Sequence, residues 1–146
     1  DGTQGRLMVN GRNKGASFER QLANELELEL GISFKRDLEQ YRTGEHGDLI
    51  PNNDNFPFLI EAKRYSKGAV GGSAAWWDQA VAAAKRADKL PCLVYKYDHK
   101  PIRFVIDVLA AYQSGYEFKN EPPENGRLEM NLHTFCWIVR ELMNDN

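Results

Sequence analysis

The order of hydrophobic patterns in this sequence predicts an α/β fold, a central mixed β-sheet flanked by helices. Three observations carry that expectation. Phe18, Leu22, Ala23, Leu26 and Leu30 recur at helical spacing near the start of the chain. Short apolar and aromatic runs, FPFLIEAKR, LPCLVYKY and IRFVIDV, read as strands. An alanine-rich helical segment, AAWWDQAVAAAKRADK, lies between the first of these strands and the second.

Taken in order, the basic stretch NGRNKG (Asn10–Gly15) reads as a flexible lead-in. A helix is expected over Ala16–Leu30, with Gly31 as its C-terminal stop. Ile32–Arg36 and Gly47–Pro51 are expected as two short strands, and the NNDN cluster at Asn52–Asn55 as a turn. Phe56–Arg64 is the third strand, followed by a small, mobile loop at Ser66–Ser73. A helix at Ala74–Lys89 leads into strands at Leu90–Tyr97 and Ile102–Val108. Asn120–Gly126 reads as a surface loop and His133–Met143 as a closing helix. There are no repeats and no low-complexity tract.

The chain has 146 residues, enough for one domain with a real core and too few for two comfortable ones. An apolar content of 42% argues against disorder. No window approaches the length of a membrane-spanning helix, and no signal peptide is visible. Met8 is the expected native start, with residues 1–7 foreign to the protein and 1–9 disordered or foreign. Cys92 and Cys136 fit neither a zinc site nor a disulfide framework. Buried free thiols in a reducing compartment follow, hence a cytoplasmic protein, cellular or phage-encoded. The net charge of −2 excludes a protein coated in positive charge, but it is unevenly spread. Residues 60–103 sum to +5 and 104–146 to −4, so one face can still meet a polyanion.

The chemistry concentrates where the third strand ends. Strand side chains alternate, so Leu59, Glu61 and Lys63 share one face, with Glu61 and Lys63 roughly 7 Å apart at the backbone. A frayed strand end carrying a surface ion pair is the plain alternative. Asp48, in the short strand joined to this one by a turn, is expected beside Glu61 in a hairpin. Two converging carboxylates raise each other's pKa, and a divalent cation removes that repulsion. Oxygen-only ligation suits Mg²⁺. On the first helix, Leu22, Ala23, Leu26 and Leu30 all fall within about 60° of Glu19, at about 100° per residue. Glu19 should therefore face inward, where a buried carboxylate needs a partner. The competing placement is an outward first-turn Glu favoured by the helix dipole.

Gly47-Asp48 followed, after twelve intervening residues, by Glu61-Ala62-Lys63 resembles the signature of PD-(D/E)xK nucleases. The segment RNKGASFERQLANEL (Arg12–Leu26) resembles the opening of archaeal-type Holliday-junction resolvases, members of the restriction-endonuclease-like superfamily. The resemblance covers roughly residues 10 to 108, with Gly47 standing where the family often has Pro. It implies a restriction-endonuclease-like core. It also implies that Asp48 and Glu61 bind the metal, Mg²⁺ with Mn²⁺ as a substitute. The Ala62 carbonyl would be a further ligand, and Glu19 would complete the shell, directly or through water. Lys63 would orient or deprotonate the attacking water, or stabilise charge on the phosphate.

Gln79 follows Trp76 by three residues and precedes Ala83 by four, so it is expected on the packed side of the second helix, where related nucleases often place a glutamine near the site; a helix-surface amide is the alternative. Trp76 and Trp77 read as core and lid, with base stacking the lesser alternative. Arg12 and Lys14 before the first helix, and Arg64 and Lys67 after the third strand, are candidate phosphate contacts. His46, beside Asp48, reads as an ordinary loop histidine, with an auxiliary base or phosphate contact as the alternative.

The resulting expectation is a single nuclease domain over 1–146, with 109–146 as a C-terminal extension. Its function would be a Mg²⁺-dependent DNA endonuclease, most like a Holliday-junction resolvase, acting as a homodimer on branched four-way DNA with no membrane. One rival is the same core acting on nicked, flapped or linear duplex DNA. Another is a non-catalytic DNA-binding module that retains the fold.

Overall fold

A computed structural model describes residues 2–38 and 47–144; in the first helix, side chains are described from Gly11 onward apart from Arg12. Helix α1 runs Gly2–Leu30 and is followed by strands β1 (Phe34–Arg36), β2 (Leu49–Pro51) and β3 (Phe58–Arg64). Helix α2 (Ala74–Ala87) precedes β4 (Leu90–Lys96) and β5 (Arg103–Asp107). Helix α3 (Val108–Gln113), strand β6 (Arg127–Met130) and helix α4 (Leu132–Asn144) complete the chain. The six strands lie in sequence order in one sheet. Every pairing is antiparallel except β3–β4, where α2 makes the crossover, so the sheet is mixed as expected.

Each boundary has a local cause. Leu30 is the last residue of α1 because Gly31 takes the left-handed conformation at φ 69°, and its N–H donates to the Glu27 carbonyl at 2.8 Å. Ser73 caps α2 by accepting from the Trp76 N–H at 3.1 Å, and Asp88 ends it in the left-handed region at φ 55°.

The structure corrects several expectations. Asn10–Gly15 is helical, since Gly11 and Gly15 weaken a helix interior without breaking it. The fifth strand stops one residue early because Asp107 caps α3, its Oδ1 accepting from the Leu109 N–H at 2.8 Å. Helix α3 and strand β6 were not anticipated. β6 is a four-residue edge strand whose Leu128 and Met130 face one side while Arg127 and Glu129 face the other.

Pleating divides the core between the two faces. Phe58 and Ile60 of β3, Cys92 and Val94 of β4, and Phe104 and Ile106 of β5 pack against α1 and α4. Leu59, Leu93, Tyr95 and Val105 face α2, where Trp77, Ala80, Ala83 and Ala84 are buried. Cys92 and Cys136 are free and buried, and burial pushes both thiols up, Cys136 to about 12. No helix among the described residues is long and apolar enough to cross a membrane.

The Ser66–Ser73 loop is anchored at two points. The Tyr97 hydroxyl donates to the Ala69 carbonyl at 2.7 Å, and the Gly71 N–H donates to the Tyr95 hydroxyl at 3.0 Å. Gly68 and Gly72 are what let the loop lie against those rings. A Cβ at Gly68 would come 2.5 Å from the Tyr97 hydroxyl, and one at Gly72 would lie 3.1 Å from Leu93 Cδ2.

Gly47 is packed hardest of all. A Cβ there would run into the Ile60 carbonyl, 2.8 Å from its carbon and 2.9 Å from Leu59 Cδ2. The obstacle is mainly backbone and cannot rotate away. Gly47→Ala is therefore expected to cost about 1–3 kcal/mol, the usual scale of overpacking. Denaturant unfolding measures it, and an unchanged midpoint would show that β2 can shift without penalty.

Candidate active site

β2 meets β3 at the Leu49–Ile60 pair, where the Asp48 N–H donates to the Ile60 carbonyl at 2.8 Å. Beyond that pair a side chain takes over the ladder, with Asp48 Oδ2 accepting from the Ala62 N–H at 2.6 Å. This bond fixes the Asp48 carboxylate against the stretch of β3 that carries Glu61 and Lys63. The two strands part here, and a cleft of about 470 Å³ opens, lined by Glu19, Asp48, Glu61, Ala62, Lys63 and Gln79 with Asp37 and Leu38.

Glu61 is 2% exposed, one of the two buried polar side chains among the described residues. Its carboxyl group is hydrogen-bonded to that of Asp48. Burial raises the Glu61 pKa to about 8, the negative charge of Asp48 adds to the rise, and the Lys63 ammonium opposes it. Asp48 is also raised by burial, against the Ala62 N–H and Lys63, which favour its charge. At neutral pH the pair thus shares a proton, Glu61 donating to Asp48.

Such a pair suits a divalent cation, whose charge would offset that of both carboxylates. Among the described residues no group of three or more His, Cys, Asp or Glu side chains is arranged to hold a metal ion. The available donors are two carboxylates and the adjacent Ala62 backbone. That set matches a hard cation that keeps several waters rather than one enclosed by side chains.

Glu19 faces inward, as its helical phase requires, but its partner is Arg36, whose Nε donates to Oε2 at 3.1 Å. Burial raises the Glu19 pKa, Arg36 lowers it, and Asp48 raises it again through space. Glu19 thus stands within electrostatic reach of the pair while committed to Arg36. Sequence reasoning missed Arg36 and the neighbouring Asp37. The Asp37 N–H donates to the Asp48 carbonyl at 3.0 Å, and its carboxylate contributes to raising Asp48. The signal was a charged pair, Arg36-Asp37, at the end of a short strand, with nothing local to say which way either points.

Gln79 lines the cleft, yet it is exposed rather than packed, because the buried stripe of α2 runs through Trp77, Ala80 and Ala84. Trp77 is buried, while Trp76 is half-buried and stacked on Tyr65 with ring centroids 4.9 Å apart. Of the basic candidates, Lys14 and Arg64 converge on Asp98, at 3.3 Å and 2.7 Å. Lys67 is exposed in the anchored loop. His46 and the Arg12 side chain lie outside the described residues.

Comparison with known proteins bears on the family and the fold. Residues 10–143 match the model of a family described as "Phage putative PDDEXK endonuclease". No curated protein sequence matches the chain. Among solved structures, the fold is similar to that of Archaeoglobus fulgidus Hjc, a Holliday junction resolvase from an archaeal hyperthermophile. The TM-score is 0.50 at 18% identity, over 86% of this chain and 98% of that one. At that identity the match concerns the fold: a mixed sheet flanked by helices, of restriction-endonuclease-like type. Family and fold together support a nuclease, and PD-(D/E)xK nucleases generally use divalent metals.

The raised pKa of Glu61 has a measurable consequence in protein stripped of metal. Between the ordinary value of 4.5 and about 8, the folded chain binds a proton at Glu61 that the unfolded chain has released. Stability contributed by this group is complete below pH 4.5 and is lost as pH rises through 8. Glu61→Gln, which is neutral throughout, should gain stability over the native chain as pH rises from 5 to 8. Denaturant melts in chelator at both ends of that range test this, and parallel curves for the two proteins would contradict it.

Proposed function

The chain belongs to the phage PDDEXK endonuclease family, and on that premise we propose that it is a Mg²⁺-dependent DNA endonuclease selective for branched DNA. The observation that carries the reading is the single cleft gathering Glu19, Asp48, Glu61, Ala62, Lys63 and Gln79. Asp48, Glu61 and the Ala62 carbonyl would hold the cation, Mg²⁺ or in its place Mn²⁺. Bound there, it would supply a Lewis acid that stabilises charge on the reacting phosphate and lowers the pKa of a water.

The chain's own residues do the rest. Loss of the shared proton leaves Asp48 and Glu61 as two carboxylates, with Asp48 still oriented by the Ala62 N–H. Lys63, two residues past Glu61 on the same strand face, places an ammonium beside the reacting group, where it orients the water or offsets charge on the phosphate. Glu19 is paired with Arg36 and would complete the cation's shell, directly or through water. Gln79 is placed at the cleft wall to position a phosphate oxygen or water. The attacking water gives up a proton as its oxygen bonds to phosphorus, the P–O3′ bond breaks, and the departing O3′ takes up a proton from solvent. The products are a 5′-phosphate and a 3′-hydroxyl.

Lys14, Arg64 and Lys67, with Arg12, would contact the DNA backbone. A four-way junction requires two symmetric nicks, and a two-fold homodimer presents two clefts to two opposed strands. The branched-DNA preference and the homodimer rest on this symmetry argument and on similarity to the archaeal resolvase fold.

Incubation of the protein with four-way junctions and linear duplexes, with Mg²⁺ and with chelator, tests the function. Cutting should require the cation, and Asp48→Asn should abolish it while DNA binding survives. Undiminished nicking in excess chelator would remove the metal reading. Lys63→Ala should slow single-turnover cleavage by on the order of 10²-fold or more, the scale of an acid–base or electrostatic group. A normal rate with weakened binding would make Lys63 a phosphate clamp alone. Light scattering beside the cleavage assay tests the symmetry argument. A monomer that cuts linear duplex as fast as junctions would keep the nuclease and remove the resolvase.

A further inference from the structure

A second hollow, of about 490 Å³, lies on the α1 face of the sheet and is lined by Asn13, Lys14, Ser17, Gln21, Arg64 and Lys96. It is separate from the carboxylate cleft for a simple reason. Arg64 is one residue beyond Lys63, so it projects to the opposite face of β3, and it pairs with Lys96 across the parallel β3–β4 ladder. Three cations, two amides and a hydroxyl make a donor set for a phosphate-like oxyanion.

The hollow's charge is met in part by a carboxylate of the chain itself. Asp98 accepts from Arg64 Nη2 at 2.7 Å and from Lys14 Nζ at 3.3 Å. Arg64 is oriented for this role, 16% exposed and with Nη1 donating to the Tyr65 carbonyl at 2.6 Å. The Asp98 N–H is anchored to the Ser66 carbonyl at 3.1 Å. Lys96 donates to the Tyr97 carbonyl at 3.2 Å and has no ion-pair partner among the described residues. Asp98 thus engages two of the three cations, and its side chain remains one-third exposed.

We propose that this hollow is a second phosphate site for the DNA backbone, in which Asp98 stands in for a phosphodiester until DNA displaces it. The proposal rests on reading the chain as DNA-acting. The Lys14–Asp98 pair lies at the surface, where an ion pair contributes little to stability, and the better-buried Arg64 can trade Asp98 for a ligand of the same charge without being left unpaired. A phosphodiester offers the guanidinium an equivalent pair of oxygens and can engage Lys96 as well. The site holds a backbone phosphate across β3 from the reacting one, and it rejects weakly charged ligands because Asp98 competes with them.

The test is DNA binding of the full chain in chelator, measured against salt concentration. In the native protein a phosphate entering the hollow frees a counter-ion from the DNA, but the displaced Asp98 takes one up, so the net release is reduced by about one. Asp98→Asn has no charge to re-neutralise, so that counter-ion is released outright. That variant should bind duplex or junction DNA more tightly at low salt, with a slope of log K against log salt steeper by about one. Lys96→Met should weaken binding, and its result stands if Asp98→Asn melts early. A folded Asp98→Asn with native affinity and slope overturns the proposal, as does a Lys96→Met variant that binds like the native chain.

Calorimetry with inorganic phosphate separates the two sources of the same chemistry. If Asp98→Asn gains phosphate binding with no change toward DNA, the hollow takes a free anion and the proposal fails. Wild-type cleavage in Mg²⁺ is scored separately. Shifts in binding without any cleavage sink the hydrolytic reading and leave this site standing, and cleavage without the shifts does the reverse.

Discussion

The site depends on how closely the Gly47–Asp48 backbone approaches β3. Only a residue without a Cβ lets the chain pass the Ile60 carbonyl, and that passage puts the Asp48 N–H 2.8 Å from the same oxygen. Once the backbone is there, the next donor on β3, the Ala62 N–H, is met by the Asp48 carboxylate instead of a main-chain carbonyl. A side chain thus continues a ladder the backbone has left. The ordinary requirement that a strand N–H find an acceptor fixes a carboxylate beside Glu61. A proline at position 47 would carry a Cβ into the same carbonyl, so the glycine that stands where the family often has proline is what permits this close approach.

From that contact the electrostatics follow. Glu61 is flanked by Leu59 and Ile60 on its own strand and paired with Leu93 across the ladder, so it is buried by the sheet and not by its own chemistry. Burial and the neighbouring Asp48 both disfavour its charge, and Lys63 opposes them without prevailing. The consequence is a buried carboxyl group that favours its protonated form beside a second carboxylate. Glu19 feels Asp48 through space, and Arg36 offsets part of its charge while holding this third carboxylate close by.

Much of this was legible in the sequence, and the misses have physical causes. Period-two alternation placed Glu61 and Lys63 on one face, and the helical phase of α1 placed Glu19 inward. Both arguments concern a single element with a strong period. The Asp48–Glu61 meeting was inferable because a short turn joins their strands. Arg36 and Asp37 were missed because their orientation depends on β1 packing under α1, a long-range contact no local pattern encodes. Gln79 was assigned to a packed side from its spacing to Trp76 and Ala83, but the alanines around it decided which stripe of α2 is buried. β6 escaped because four residues of alternating charge and hydrophobicity at a sheet edge resemble a loop. The glycine-rich loop looked mobile, and the hydroxyls of Tyr95 and Tyr97 that tie it down lie 24 and 28 residues away in sequence from the groups they hold.

β3 shows how one strand end serves two opposed electrostatic demands. A nucleic-acid hydrolase needs carboxylates to gather a cation and cations to gather phosphate, and placed together these would neutralise one another. Strand alternation separates them: Glu61 and Lys63 turn to one face, Arg64 to the other, where Lys96 lies beside it and Lys14 reaches in from α1. The separation is only the thickness of the sheet, yet it passes through packed side chains rather than water, with Ala62, Val94 and Leu93 between the two sets. On the cationic side Asp98 limits the excess, as Arg36 limits the excess negative charge at Glu19. Each face thus carries one internal counter-ion, Arg36 against Glu19 and Asp98 against Arg64 and Lys14.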